Sequence, residues 1–137
     1  MARIICIDYG AKRCGLAVTD PLQIIATSLT TIDTKDLFNF LTDYFSKESV
    51  ELILIGEPLN LDNTPTDATP LVQKAILDLG KKFPHIPIQT IDERFSSKNA
   101  VKAMVEMGMT KKDRRDKKTI DRVAATMLLQ EYLSNRS

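Results

Sequence analysis

Three carboxylates stand where their oxygens can do chemistry together. Asp8 ends an apolar strand, and a buried carboxylate is costly unless it is paired, hydrogen-bonded or bound to a metal. Glu93 closes a second strand, and Asp121 precedes Ala124 and Ala125 in a helix whose small residues allow close approach to a sheet. Each acid also has a structural interpretation: as an acceptor for turn amides, as a solvated strand-end charge, or as an acid opposing a helix dipole.

Carboxylates are the groups on which acid–base or metal chemistry must rest, because His85 is the only histidine. A single imidazole excludes mechanisms that use a histidine pair and zinc sites rich in histidine. If the fold gathers Asp8, Glu93 and Asp121 at one sheet edge, they can hold two cations about 3.5–4 Å apart. Such cations activate water and stabilise the leaving oxygen of a phosphodiester, and Mg²⁺ or Mn²⁺ suits oxygen ligands.

Basic residues flank these acids in the sequence. The turn after Asp8 carries Lys12 and Arg13 together with backbone amides, a combination that can hold a phosphate. Arg94 directly follows Glu93. The densest cation cluster, in a predicted mobile loop over 110–118, is expected to contact a nucleic-acid backbone; its cations are Lys111, Lys112, Arg114, Arg115, Lys117 and Lys118. The alternative is a solvated loop without a function.

The net charge of +1 hides an uneven distribution. Residues 1–93 carry 8 Lys and Arg against 13 Asp and Glu, a net charge of −5, whereas residues 94–137 carry 11 against 5, a net charge of +6. An acidic half beside a basic half fits a cation site next to a surface for a polyanion, although an unevenly charged, solvated surface is the alternative.

The apolar periodicity predicts the element order βββαβαβαα. The predicted strands are 3–8, 15–19, 24–32, 52–56 and 87–92. The first predicted helix is 35–47, with Thr34 as its cap, and the second contains Val72, Ala75, Ile76 and Leu79. The last two predicted helices are 97–107 and 119–133. This order predicts an α/β fold: a mixed five-stranded sheet, with three antiparallel strands first and helices on both faces. We expect residues 1–137 to form one domain.

The composition predicts a cytoplasmic location. The apolar runs are strand-length and fall short of the roughly 20 residues that a membrane span needs. The N-terminus shows no export signal, and two cysteines, of which Cys6 lies in an apolar strand, suit a reducing compartment. We therefore expect no membrane partner.

Four motifs resemble those of the YqgF/RuvX family, in the family's order. They are Asp8-Tyr9-Gly10-Ala11-Lys12-Arg13-Cys14-Gly15-Leu16-Ala17-Val18-Thr19-Asp20, then Ile55-Gly56-Glu57-Pro58-Leu59-Asn60-Leu61-Asp62, then Asp92-Glu93-Arg94-Phe95-Ser96-Ser97, and Lys118-Thr119-Ile120-Asp121 with Ala124-Ala125. The chain departs from the pattern at Cys14, where a branched aliphatic residue is usual, at Glu57, where an apolar residue is usual, and at Asn63, which replaces a glycine.

The resemblance implies an RNase H-like fold related to the junction resolvase RuvC, with Asp8, Glu93 and Asp121 as catalytic acids. It implies a nuclease of pre-16S rRNA or a Holliday junction resolvase, and hence structured RNA or branched DNA as partner. A resolvase cuts two symmetric strands as a dimer, and no obvious dimer interface stands out in the sequence, so we rank it second and expect a monomer or weak homodimer. A nucleic-acid-binding module without catalysis is a third interpretation. A small ATPase-like domain is disfavoured by length.

Overall fold

The computed structural model describes residues 2–57, 69–92 and 117–135. The strands of this part are β1 (Arg3–Tyr9), β2 (Arg13–Thr19), β3 (Ala26–Asp33), β4 (Val50–Glu57) and β5 (Ile88–Asp92). The helices are α1 (Leu37–Lys47), α2 (Thr69–Lys82) and α3 (Lys117–Asn135), and a 3₁₀ turn (Thr34–Asp36) precedes α1. The predicted helix 97–107 lies outside the described residues.

The described strands form one five-stranded sheet in the order β3-β2-β1-β4-β5. β2 pairs antiparallel with β1 and β3, whereas β4 pairs parallel with β1 and β5. Short turns can join antiparallel neighbours only, so the first three strands form a meander, and the parallel strands need longer connections. The predicted mixed sheet, with its three antiparallel strands first, is confirmed, and β1 lies at its centre.

Helices cover both faces of the sheet, as predicted. The strand residues alternate between two apolar clusters because successive side chains of a strand point to opposite faces. On one face the cluster unites β1, β2 and β4 with α1 and α2, through residues that include Ile5, Ile7, Leu16, Ile53, Leu37, Leu41, Val72 and Leu79. On the other face the buried members are Ile4, Cys6, Ala17, Leu54, Ala125, Leu128 and Leu129, the last three from α3. Cys6 therefore packs as a small apolar residue, as expected.

The start of α1 differs from the prediction. We expected a helix from residue 35 with Thr34 as its cap, but the chain first makes the 3₁₀ turn and α1 begins at Leu37. The N-cap position of the 3₁₀ turn belongs to Asp33, and no side-chain hydrogen bond caps it. The Thr34 hydroxyl is engaged elsewhere: it donates to the backbone carbonyl of Gly10 over 2.6 Å.

The start of α3 is a second correction. The predicted loop over 110–118 should have included Lys117 and Lys118, but these are the first two residues of the helix. Lysine has a high helix propensity, so a lack of apolar residues does not exclude helix there. Asp121 consequently lies just beyond the first turn, where an acid opposes the helix dipole more weakly than in the first turn.

None of the helices in residues 2–57, 69–92 and 117–135 is long and apolar enough to cross a membrane.

Candidate active site

Asp8 lies near the carboxyl end of the central strand. It is the sixth residue of β1, is half-buried, and pairs with Gly15 of β2. Strand alternation places it on the same face as Ile4 and Cys6, the face that α3 covers. Because Gly15 has no side chain, the neighbouring strand adds no bulk opposite Asp8. Asp8 thus lies at the border of the apolar core, near the end of the central strand.

The parallel strands bring two more acidic residues to the same edge. β4 ends at Glu57 and β5 ends at Asp92, and these two residues are partners in the β4–β5 register. The β1–β4 register pairs Ile7 with Ile55, so Glu57 follows two residues after the level of Ile7. Ligands of open α/β sheets bind at the carboxyl ends of parallel strands, and this edge is of that kind. Sequence reasoning noted Glu57 only as a departure from a motif and did not assign Asp92.

The direction of α3 follows from one hydrogen bond and from its core residues. The hydroxyls of Thr126 and Ser28 are 2.8 Å apart, and Ser28 is level with Ala17 and hence with Cys6 in the sheet register. Beyond Thr126 the helix continues into the apolar cluster that extends to Ile4, at the end of β1 far from Asp8. α3 therefore begins above the Asp8 end of the sheet and runs away from it.

Simple helix and strand geometry then gives the level of Asp121. Asp121 precedes Thr126 by five residues, about 7.5 Å along a helix axis. Asp8 follows Cys6 by two residues, about 6.6 Å along a strand. With the axis of α3 along the strands, these two lengths are similar, and the backbone of Asp121 would then lie near the level of Asp8.

The complete three-acid set is not contained in the described residues. Glu93 follows directly after Asp92 and lies outside them, and of Asp121 only the helical backbone is described. Within residues 2–57, 69–92 and 117–135, no group of three His, Cys, Asp or Glu side chains is close enough to hold a metal ion. The metal site of Asp8, Glu93 and Asp121 therefore stays a prediction.

The turn between β1 and β2 places two cations at the Asp8 end of the sheet. It comprises Gly10–Arg13; Lys12 is exposed and Arg13 is half-buried. The turn is tight, because a Cβ atom on Gly10 would lie 2.5 Å from the carbonyl oxygen of Arg13. Thr34 holds both ends of the turn: its N–H donates to the carbonyl of Lys12 over 2.9 Å and its hydroxyl to that of Gly10. Sequence reasoning missed this role of Thr34, since nothing local signals a partner 24 residues away.

Of the other predicted nucleic-acid contacts, only two fall in a described element. Lys117 and Lys118 form the amino-terminal end of α3, the end near Asp8. Arg94, Lys111, Lys112, Arg114 and Arg115 lie outside the described residues.

Tyr9 follows Asp8 but belongs to the opposite face, where it packs against the core under α1 and α2. Burial raises the pKa of its phenol above the ordinary value, and the nearby Cys14 and Asp78 raise it further. The phenol is therefore protonated at neutral pH and does not act as a base beside Asp8.

Comparison with solved structures defines the class of the fold. Two structures of Thermus thermophilus RuvC match at a TM-score of 0.56, one of them in complex with a Holliday junction substrate. The complex is 14% identical to this chain and the match covers 98% of this chain and 96% of RuvC. The chain therefore has an RNase H-like α/β fold of the RuvC kind, as the sequence predicted.

Sequence comparison then places the chain in a family. A family profile named RuvX and described as Holliday junction resolvase matches residues 2–135, and the chain belongs to this family. A protein of Christiangramia forsetii is 49% identical over 97% of this chain and 98% of its own length. One of Bacteroides thetaiotaomicron is 44% identical over 99% of both chains. Both relatives carry the provisional name pre-16S rRNA nuclease.

Proposed function

We propose that this chain is a metal-dependent endonuclease that hydrolyses phosphodiester bonds at the 5′ end of pre-16S rRNA. Membership of the RuvX family and the provisional name of its full-length relatives support a nuclease. The observation that carries the proposal is the position of Asp8. It lies near the carboxyl end of the central strand, on the face that α3 covers, and α3 is the helix that carries Asp121.

The donor chemistry of the proposed site fits Mg²⁺ or Mn²⁺. Asp8 is half-buried near the end of β1, and Asp8, Glu93 and Asp121 offer only hard carboxylate oxygens. A bound divalent ion lowers the pKa of water and stabilises charge that develops on the leaving oxygen. The three carboxylates hold that ion and fix its place relative to the sheet edge.

The basic residues have the complementary role of binding the phosphate backbone. Lys12 and Arg13 in the β1–β2 turn and Arg94 beside Glu93 hold the phosphates next to the scissile bond. The cations from Lys111 to Lys118 contact the backbone further away. Two of them, Lys117 and Lys118, begin α3 and are the members of this set nearest the acids. Positive side chains compensate the charge of the substrate and add salt-dependent affinity.

A branched DNA substrate is the second candidate. The RuvX profile is described as Holliday junction resolvase, and the fold resembles a RuvC solved with a junction. Resolution of a junction needs two symmetric cuts and therefore two copies of the chain. We propose that residues 1–137 form one catalytic domain, which works in the cytoplasm as a monomer or weak homodimer. A monomer can make the single cut that RNA processing needs, so RNA is the preferred substrate.

Cleavage of three labelled substrates tests the function. Purified protein is incubated with a pre-16S rRNA fragment, a four-way DNA junction and a plain duplex, each with Mg²⁺, Mn²⁺ or EDTA. We expect cuts in the rRNA fragment with either metal and none with EDTA. Preferential, paired cuts in the junction would instead identify a resolvase. Binding of these nucleic acids without cleavage under any condition would instead identify a nucleic-acid-binding module without catalysis.

Asp8→Asn tests the metal site. We expect a loss of activity of about a hundredfold or more, because a lost ligand should cost at least as much as a lost supporting partner. The melting temperature should stay equal or rise slightly, since neutralising one member of an acidic cluster relieves repulsion. Asp43→Asn is the matched control, because Asp43 is exposed on α1 and pairs with Lys47 one turn along the same helix. An active Asp8→Asn protein would remove Asp8 from the mechanism.

A further inference from the structure

Thr34 ties the end of β3 to the β1–β2 turn through three contacts. Its backbone N–H donates to the carbonyl of Lys12 over 2.9 Å, and its hydroxyl donates to the carbonyl of Gly10 over 2.6 Å. The sulfur of Cys14 is 3.5 Å from the same hydroxyl oxygen. A hydroxyl has one proton, and here Gly10 receives it, so the Cys14 thiol donates to Thr34.

The Gly10–Arg13 turn is tight and is followed by a buried strand. The Gly10 position is so close to the carbonyl of Arg13 that even a Cβ atom would not fit, and Cys14, the first residue after the turn, is fully buried. Removal of the Thr34 hydroxyl would leave the Gly10 carbonyl without its donor inside this tight turn. An unpaired carbonyl costs free energy, so the turn would change its shape. The buried strand that follows would not move, because its packing fixes it.

The anchor also decides which groups the turn presents at the Asp8 end. Carbonyl oxygens carry partial negative charge and repel phosphate, whereas amide N–H groups and cationic side chains attract it. Thr34 engages the carbonyls of Gly10 and Lys12, so these oxygens face Thr34. Lys12, whose side chain is exposed, lies in the turn that follows the Tyr9–Cys14 pair, and this pair is next to that of Asp8 and Gly15.

We propose that Thr34 is a positioning residue for the substrate: its hydroxyl holds the Gly10–Arg13 turn in the shape that places Lys12 against a nucleic-acid phosphate. This inference rests on the proposed function, because it needs a phosphate backbone at the Asp8 edge. Thr34 itself does not touch the substrate. Its effect passes through Lys12, and this makes the inference testable by coupling of the two side chains.

Binding in the absence of cleavage tests the inference. Affinity for a labelled rRNA stem-loop is measured in EDTA for wild type, Thr34→Val and Thr34→Ser. Valine keeps the branched shape but lacks the hydroxyl, and it should raise Kd about three- to tenfold. Serine keeps the hydroxyl and should restore Kd to within about twofold. Thr42→Val is the control, because it removes a hydroxyl that donates to a backbone carbonyl inside α1, that of Phe38; its Kd should stay at the wild-type value.

A double-variant cycle separates positioning from mere stability. In a Lys12→Ala background, Thr34→Val should change Kd by less than about twofold, because its route to the substrate is gone. Wild-type Kd in Thr34→Val, no rescue by serine, or fully additive effects would each overturn the inference. A wild type that binds but does not cleave with Mg²⁺ or Mn²⁺ overturns only the nuclease proposal, and the Kd ratios still decide the role of Thr34. A wild type that binds none of the nucleic acids overturns both.

Discussion

Asp8 and Tyr9 are neighbours in the chain and yet serve different sides of the sheet. Strand alternation sends Asp8 to the face under α3 and Tyr9 into the core under α1 and α2. The phenol keeps its proton because burial raises its pKa, so it adds no negative charge behind the carboxylate. Asp8 therefore contributes a charged group to the proposed site, and Tyr9 contributes an aromatic ring to the core.

Gly10 and Gly80 offer a matched pair of alanine substitutions. Gly10→Ala should destabilise the protein by about 1–3 kcal/mol, because the new Cβ would lie 2.5 Å from the backbone carbonyl of Arg13, which is not a flexible side chain. Gly80→Ala lies in α2 with nothing within 4 Å of the new Cβ, and it should stabilise by up to about 1 kcal/mol through helix propensity. Urea unfolding of both variants measures the two effects.

The two substitutions should change the free energy of unfolding in opposite directions. A Gly10→Ala protein as stable as wild type would mean that the turn can open, and this would also weaken the argument for Thr34 as its anchor. Destabilisation by Gly80→Ala would point to a contact on α2 that the described residues do not include.

The connection between β2 and β3 is organised by one carboxylate. Asp20 accepts backbone hydrogen bonds from Leu22, Ile24 and Ile25 at 2.8–3.1 Å. These amides, with that of Ile25 first, lower the pKa of Asp20 below its ordinary value. The turn includes Gln23 in the left-handed region, at φ 59°, and exposes the three apolar side chains. A charged acceptor thus fixes a turn whose apolar residues contribute little burial.

Asp20→Asn should remove a pH-dependent part of the stability. A carboxylate whose pKa is lower in the folded state stabilises the fold above the pKa of the unfolded chain, and this contribution disappears as pH falls through the folded pKa. Wild type should therefore be more stable than the variant at pH 7, and the difference should shrink below about pH 4. Urea midpoints at several pH values between 7 and 3 measure it. A difference that does not change with pH would show that the charge is not what holds the turn.

The elements with clear apolar periodicity were the predictable part of the fold. β1, β2 and β4 alternate or run continuously apolar, and the sheet order followed from short turns and from the change to strands that alternate with helices. The prediction of Asp8 as a site residue has the same basis, since a charged residue in such a strand is costly, and it stays a prediction. Asp121 was selected through Ala124 and Ala125, and both of these are fully buried.

The parts that could not be predicted depend on partners distant in sequence. Thr34 has the residue type of a helix cap, but a competing acceptor on Gly10 takes its hydroxyl. The pairing of Glu57 with Asp92 depends on the β4–β5 register, and local patterns do not determine the register of parallel strands. The first turn of α3 begins with lysines. Polar residues give no apolar periodicity from which a helix could be predicted, although lysine has a high helix propensity.

The whole molecule combines an acidic region with a basic one. Residues 1–93, net charge −5, supply the complete described sheet, whereas residues 94–137, net charge +6, include α3 and the cations before it. α3 begins at the Asp8 end of the sheet, so the boundary between the two regions adjoins the proposed metal site. In the proposed nuclease, the basic region would lead a polyanion toward the acids, and bound cations would make contact there favourable.

Reversal of four cations tests this division of charge. Changing Lys111, Lys112, Arg114 and Arg115 to Glu should weaken nucleic-acid binding and reduce the slope of log affinity against log salt by about 2 or more, because each lost phosphate contact removes about 0.7–0.9. Single-turnover cleavage at saturating protein should change much less, since the acids remain.

A reversal on the other helix layer is the control. Lys74, Lys81 and Lys82 are exposed on α2, which packs on the face opposite α3. Their change to Glu alters the net charge in the same direction but should leave most of the salt dependence in place. An unchanged slope after reversal of the four cations before α3 would return that segment to the status of a solvated loop.

Ala125, Leu128 and Leu129 are synthesised long after the strand residues that they cover. Ile4, Cys6 and Ala17 leave the ribosome early, but the helix that buries them follows more than a hundred residues later, roughly ten seconds at usual rates of translation. During that interval one apolar face of the sheet lacks its α3 cover, so the nascent chain depends on protection from aggregation. The same order delays Asp121, so an unfinished chain lacks one of the three proposed catalytic acids.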